Sequence, residues 1–227
     1  MPAIDNPPRK PFVTRGANVK RCEACRLPIA ACICEYKSAL TSSVKFVVLM
    51  HRYETYKPTN TGRLIADSIA DTHVIEWLGR KDPGVELAAL LADDAYYPVI
   101  VFPPADDYLS RMTDPDSVKL KATGRTPLFI VLDGTWRQAR RMFRHSDYLQ
   151  HLPVISLETI RESSYGLRKA IHEGQLCTAE VAIALLEQMD DNQAATHLDV
   201  YFKRFNDHYV ASRGRLAKRD RETGRLV

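Results

Sequence analysis

The stretch TPLFIVLD (126–133), running directly into GTWRQARRMFRHS (134–146), decides the fold. Leu128 to Leu132 form an unbroken apolar run, the pattern of a strand buried on both faces of a parallel sheet. Gly134 permits a tight turn, Thr135 offers a hydroxyl, and Trp136 opens a basic helix. At that spacing Arg137, Arg140, Arg141 and Arg144 share one helical face. Working outward, VKFVVLMH (44–51), THVIEWLG (72–79), YPVIVFPP (97–104) and LPVISL (152–157) read as further strands. TNTGRLIADSIA (59–70), PGVELAALLADD (83–94), TAEVAIALLEQM (178–189) and LDVYFKRFNDHYVASRGRL (198–216) read as helices. Thr59, Asn60 or Thr61 caps the first of these and Thr178 the third, while 105–125 reads as a polar connection. Strands followed by helices predict an α/β fold: a mostly parallel sheet with helices on both faces. Ligands of such sheets bind at the carboxyl ends of the strands, which here are His51, Pro103 and Asp133. Neither GxGxxG nor GxxxxGK[ST] occurs, so the common dinucleotide and P-loop readings lack support.

The 227 residues are 45% hydrophobic and 26% charged, which excludes a wholly disordered or collagen-like chain. No apolar run reaches the roughly 20 residues of a membrane-spanning helix, and MPAIDNPPRKPFV lacks the apolar core of a signal peptide. The expectation is a cytoplasmic protein with no membrane partner. The net charge of +4 is unevenly spread: residues 1–42 carry +4, 43–202 carry −5 and 203–227 carry +5. Three segments follow: an N-terminal arm with a cysteine-rich segment (1–42), an α/β body (43–202), and a helix end with a basic tail (203–227). Basic ends on an acidic body suit a polyanionic partner gripped from its flanks, or serve solubility alone.

Cys22, Cys25, Cys32 and Cys34 form C-x2-C-x6-C-x-C. In a reducing compartment four such thiols point to metal rather than disulfides. They suit one tetrahedral, structural Zn2+; an iron–sulfur cluster is the alternative. The intervening residues are too few for a core, so the metal supplies folding energy. Cys177 reads as a small buried hydrophobe.

Asp133 at a strand end can accept a proton, bind a polar ligand group, or cap the helix that follows. ESSYGLRKA (162–170) gathers Ser163, Ser164, Tyr165, Arg168 and Lys169; its cations can hold a carboxylate or phosphate. HRYETYKPTNTGRL (51–64) places His51, Glu54, Asn60 and Thr61 after the first strand.

Taken in order, the four cysteines, H-x-x-E before TNTGRL, D-x-T-W, S-x-Y-x-x-R-K and a final T-x-E span residues 22–181. The set resembles the DTW-domain family of tRNA-uridine aminocarboxypropyltransferases. The resemblance implies transfer of the 3-amino-3-carboxypropyl group of S-adenosylmethionine to N3 of a tRNA uridine, in the variable loop for bacterial members. It also implies a SPOUT-like fold with a C-terminal trefoil knot. On this resemblance Asp133 is the general base, or the group orienting N3. Leu132, Gly134, Thr135, Trp136, Ser164, Tyr165, Arg168, Lys169 and Thr178 become donor-binding residues. His51, Glu54, Asn60, Arg137, Arg140, Arg141 and Arg144 become contacts to the RNA substrate. Lys20, Arg21 and Arg26, together with the tail from Arg213 to Arg225, add basic patches for tRNA. Monomer and homodimer both stay open. A SPOUT-type RNA methyltransferase and a non-catalytic zinc-bearing RNA-binding module are the rival readings.

Overall fold

The computed structural model describes residues 19–157 and 176–212. Six strands form one sheet: β1 (Lys45–Met50), β2 (His73–Glu76), β3 (Tyr96–Val101), β4 (Met112–Thr113), β5 (Thr126–Asp133) and β6 (Val154–Ile155). Their order is β2-β1-β5-β3-β6-β4, and every pairing is parallel. The helices are α1 (Gly62–Ser68), α2 (Gly84–Ala92), α3 (Pro115–Lys121), α4 (Trp136–His145), α5 (Thr178–Gln188) and α6 (Asn192–Ser212). The expected α/β class and parallel sheet are present. β6 leads to α5 through residues that include 158–175, outside the described residues; the expected knot turns on that connection.

Three details differ from the sequence reading. The polar connection contains β4 and α3, the latter capped by Asp114, which accepts from the Ser117 N–H at 2.8 Å. The last helix begins at Asn192 rather than 198, because Asp191 accepts from the Ala194 N–H (3.3 Å) and anchors the turn to Ser42 Oγ (2.7 Å). Thr178 is the first helical residue of α5, not its cap; Cys177 is the cap, and Glu180 accepts its N–H at 2.8 Å.

The two faces of the sheet bury separate clusters. Phe46, Val48, Phe129 and Val131 face α1, α5 and α6. Val47, Leu49, Leu128, Ile130 and Leu132 face α2 and α4. The helix after β1 therefore lies on one face and the helix after neighbouring β5 on the other. Adjacent strands that diverge in this way leave a crevice at their carboxyl ends, the switch point where such folds bind ligands. Parity along β5 puts Asp133 on the α1/α5 side, against Gly62. A Cβ on Gly62 would stand 2.9 Å from Asp133 Cγ and 3.0 Å from Val48 Cγ1. Gly62→Ala should therefore lower stability by about 1–3 kcal/mol, read by urea unfolding, because neither neighbour is free to give way. An unchanged midpoint would show that the carboxylate can move.

Candidate functional site

Asp133 ends β5 beside Met50 of β1, and its carbonyl accepts from the His51 N–H at 2.9 Å. The side chain is only 3% exposed. Oδ2 accepts from Asn60 Nδ2, and Oδ1 accepts from Thr178 Oγ1 at 2.5 Å. One carboxylate thus ties together the loop after β1, the D-G-T-W turn and the start of α5. Asn60 is itself fixed, since its Oδ1 accepts from the Arg63 N–H at 3.2 Å. Thr61 Oγ1 accepts from the Ala179 N–H at 3.4 Å. Glu54, 1% exposed, sits in the same loop and pairs with Lys57 at 2.6 Å. His51, Asn60, Thr61 and Glu180 are buried here too. Buried polar side chains are costly and persist where hydrogen bonds satisfy them.

The turn is held from the other side. Gln138 Oε1 accepts from the Thr135 N–H (2.7 Å) and hydroxyl (2.9 Å), while Thr135 caps α4 through the Gln138 N–H. This reciprocal cap is legible as T-x-x-Q, a signal passed over in the sequence reading. Gln138 Nε2 also lies 3.2 Å from His51 Nδ1, which accepts from the Tyr53 N–H at 3.3 Å. Donors at Nδ1 favour the neutral ring with its proton on Nε2. Burial, helped by Arg52 and Arg141, holds its pKa below the usual imidazole range. His51 also stacks on Trp77, 5.8 Å between centroids.

Trp136 is 43% exposed, and one face stacks on Phe102 at 5.4 Å. Phe102 stacks in turn on Phe143 at 4.3 Å. Arg140 lies over the Trp136 ring, and Arg144 pairs with Asp107 at 3.7 Å. Arg137, Arg140, Arg141 and Arg144 are all exposed on α4. Leu132 points away from Asp133 into the cluster under α4. Ser164, Tyr165, Arg168 and Lys169 lie outside the described residues, as does the tail from Arg213. Gly62, Trp77, Gln138 and Phe102 are site residues that sequence reasoning missed.

The four cysteines converge as expected. Their sulfurs lie within 4.8 Å of one another, with Cys22–Cys34 at 3.6 Å and Cys25–Cys32 at 3.7 Å. A zinc tetrahedron with bonds of about 2.3 Å has edges near 3.8 Å, so the set fits one Zn2+. The Cys25 backbone N–H pulls the Cys22 thiol down to about 7, whereas burial pushes Cys25 and Cys34 up. A bound cation lets all four lose their protons. Cys177, half-buried, stands apart as the α5 cap, and burial raises its thiol to about 12.

The fold and site define an α/β protein with a polar switch-point centre and a four-cysteine cluster that fits a metal ion. The DTW domain model matches residues 19–210, and the chain belongs to that family. Three similar proteins all bear the name tRNA-uridine aminocarboxypropyltransferase 2. The Drosophila melanogaster protein is 24% identical over 178 residues, the Macaca fascicularis protein 26% over 178, and the Mus musculus protein 25% over 176. Each match takes in 75% of this chain, but 66%, 57% and 57% of the relatives respectively. No solved structure matches the chain. Among the described residues, no helix is long and apolar enough to cross a membrane.

Two measurements check the site. Chelation, or Cys25→Ser, should remove one zinc per chain by elemental analysis and lower Tm by about 10 °C, since Leu27 and Ile33 of the knot lie in the main core. Retention of Tm without metal would sink the structural role. For His51 the folded pKa lies below the unfolded value of about 6.5, so the unfolded chain takes up the proton first as pH falls. The stability it contributes is present above about pH 6.5 and declines from there towards the folded pKa. His51→Gln should flatten that part of the Tm–pH curve.

Proposed function

We propose that the protein is a tRNA-uridine aminocarboxypropyltransferase that moves the 3-amino-3-carboxypropyl group from S-adenosylmethionine to N3 of a uridine in the tRNA variable loop. The observation that carries this reading is the meeting of Asn60, Asp133 and Thr178, one from each of three family motifs, at the switch point of the sheet. The donor's sulfonium makes each attached carbon open to attack. In the transfer, N3 bonds to the γ-carbon of the amino-acid arm, the C–S bond breaks, and 5′-methylthioadenosine leaves. The N3 proton is lost as the bond forms.

The chain's own part is to orient and to accept. Buried Asp133, Glu54 and Glu180 and the rings of His51, Trp77 and Trp136 give this end the acidic, aromatic character that suits a cationic donor. Asn60 and Thr178 hold the Asp133 carboxylate in one orientation, from which it takes up the N3 proton or aligns N3 for in-line attack. Gly134 and Thr135 form the turn beside the carboxylate, and Leu132 supports it from the cluster under α4. In this reading Ser164, Tyr165, Arg168 and Lys169 reach the donor, the two cations taking its carboxylate. Cys22, Cys25, Cys32 and Cys34 hold a structural Zn2+ in the cytoplasm, and tRNA meets the arginine face of α4.

Incubation with unmodified tRNA and S-adenosylmethionine should add an aminocarboxypropyl group to uridine and release 5′-methylthioadenosine, read by nucleoside mass spectrometry. A methyl gain with S-adenosylhomocysteine would make the protein a methyltransferase; binding without turnover would make it an RNA-binding module. Asp133→Asn should cut turnover by about 100-fold or more while the donor still binds, if the carboxylate takes the proton. A loss below about tenfold would leave Asp133 a positioning residue only.

A further inference from the structure

The loop that follows β1 carries two tyrosines that the site does not use. Tyr53 is 60% exposed and Tyr56 75% exposed. A single exposed tyrosine is ordinary. Two on one short loop, each with a guanidinium against its ring, form a pattern. Arg52 lies 4.8 Å from the Tyr53 centroid and donates to its hydroxyl at 2.9 Å. Arg26 lies 5.9 Å from the Tyr56 centroid.

Arg26 comes from a different part of the chain. It follows Cys25 and closes the C-x2-C turn with φ at 61°, where its N–H donates to the Cys22 carbonyl at 2.9 Å. The metal knot thus delivers a cation onto the loop after β1. At its other end the loop joins the site, since Tyr53 packs against His51 with centroids 5.3 Å apart. His51 in turn contacts Gln138 of the D-G-T-W turn. Arg–Tyr pairs therefore run from the knot to the edge of the switch point.

We infer that Arg26–Tyr56 and Arg52–Tyr53 form a platform for an unpaired RNA segment next to the base that is modified; this rests on the tRNA reading above. The rings offer π-faces for stacking, and the guanidiniums offer charge for the phosphates. In an A-form duplex the base faces are covered by their neighbours, so such rings can only take bases that have been splayed out. On α4 the exposed indole is Trp136, with Arg140 over its ring and Phe102 stacked on it, and Arg137, Arg141 and Arg144 offer charge for phosphates.

The test uses the full-length, zinc-loaded chain and unmodified tRNA. Tyr53→Ala with Tyr56→Ala should weaken tRNA binding by about 10–100-fold. S-adenosylmethionine affinity, zinc content and Tm should stay at wild-type values. Arg26→Ala with Arg52→Ala should reduce the slope of log K against log salt by about 1.5. An unpaired RNA oligomer should compete better than a duplex of equal length, and ultraviolet cross-links should map to residues 52–57. Affinity within twofold of wild type, equal competition by duplex, or cross-links confined to α4 would each overturn the platform. If the tyrosine variant loses tRNA binding but the wild type transfers nothing to tRNA, the platform stands and the transferase reading falls.

Discussion

Everything at the switch point depends on one buried carboxylate shared between two donors from distant parts of the chain. Asn60 lies 73 residues before Asp133, and Thr178 lies 45 after it. Hydrogen bonds to a charged group contribute roughly 1.5–3 kcal/mol each, and the donors are costly to leave unpaired once buried. The contacts therefore do more than place Asp133. They fix where the loop after β1 and the start of α5 stand relative to the D-G-T-W turn, and Gly62 makes the close approach sterically possible. On the opposite side of the turn, Gln138 performs the same service for His51 and Thr135. The turn that presents Trp136 is thus braced from both faces of the sheet.

The metal knot is joined to this framework rather than appended to it. Cys25, Leu27 and Ile33 are buried in the same cluster as α1, α5 and α6. Arg204 of α6 stacks over Tyr36 at 4.2 Å, and His208 lies 3.3 Å from the Ala31 carbonyl. Lys37 pairs with Asp67 of α1 at 2.6 Å, and the Tyr201 hydroxyl donates to the same carboxyl at 3.2 Å. The cysteine segment, first helix and last helix share one body of contacts.

How much of this was legible in the sequence follows from the physics of each element. The run from Leu128 to Leu132 announces a doubly buried strand, and a strand end followed by Gly134 marks a place where ligands bind. The same burial hides which face each residue takes: in a strand covered on both sides, Leu132 and Asp133 give no alternating signal. β4, two residues long, has no periodicity to read, and α3 lies in a polar stretch. The early start of α6 depends on Asp191 bonding back to Ser42, a tertiary contact. The C-x2-C-x6-C-x-C spacing was enough to bring four sulfurs together, because the ligands are close in sequence. The resemblance marks Asn60 and Thr178, but their meeting on Asp133 is a product of the fold.

One consequence follows from the way α6 covers the knot. The four cysteines are synthesised well before α6, the helix that shares one buried cluster with Leu27 and Ile33. Until α6 emerges, the four sulfurs lack that cover. Burial of the cysteine segment is therefore tied to the folding of α6, and its thiols stay open to oxidation until that helix packs.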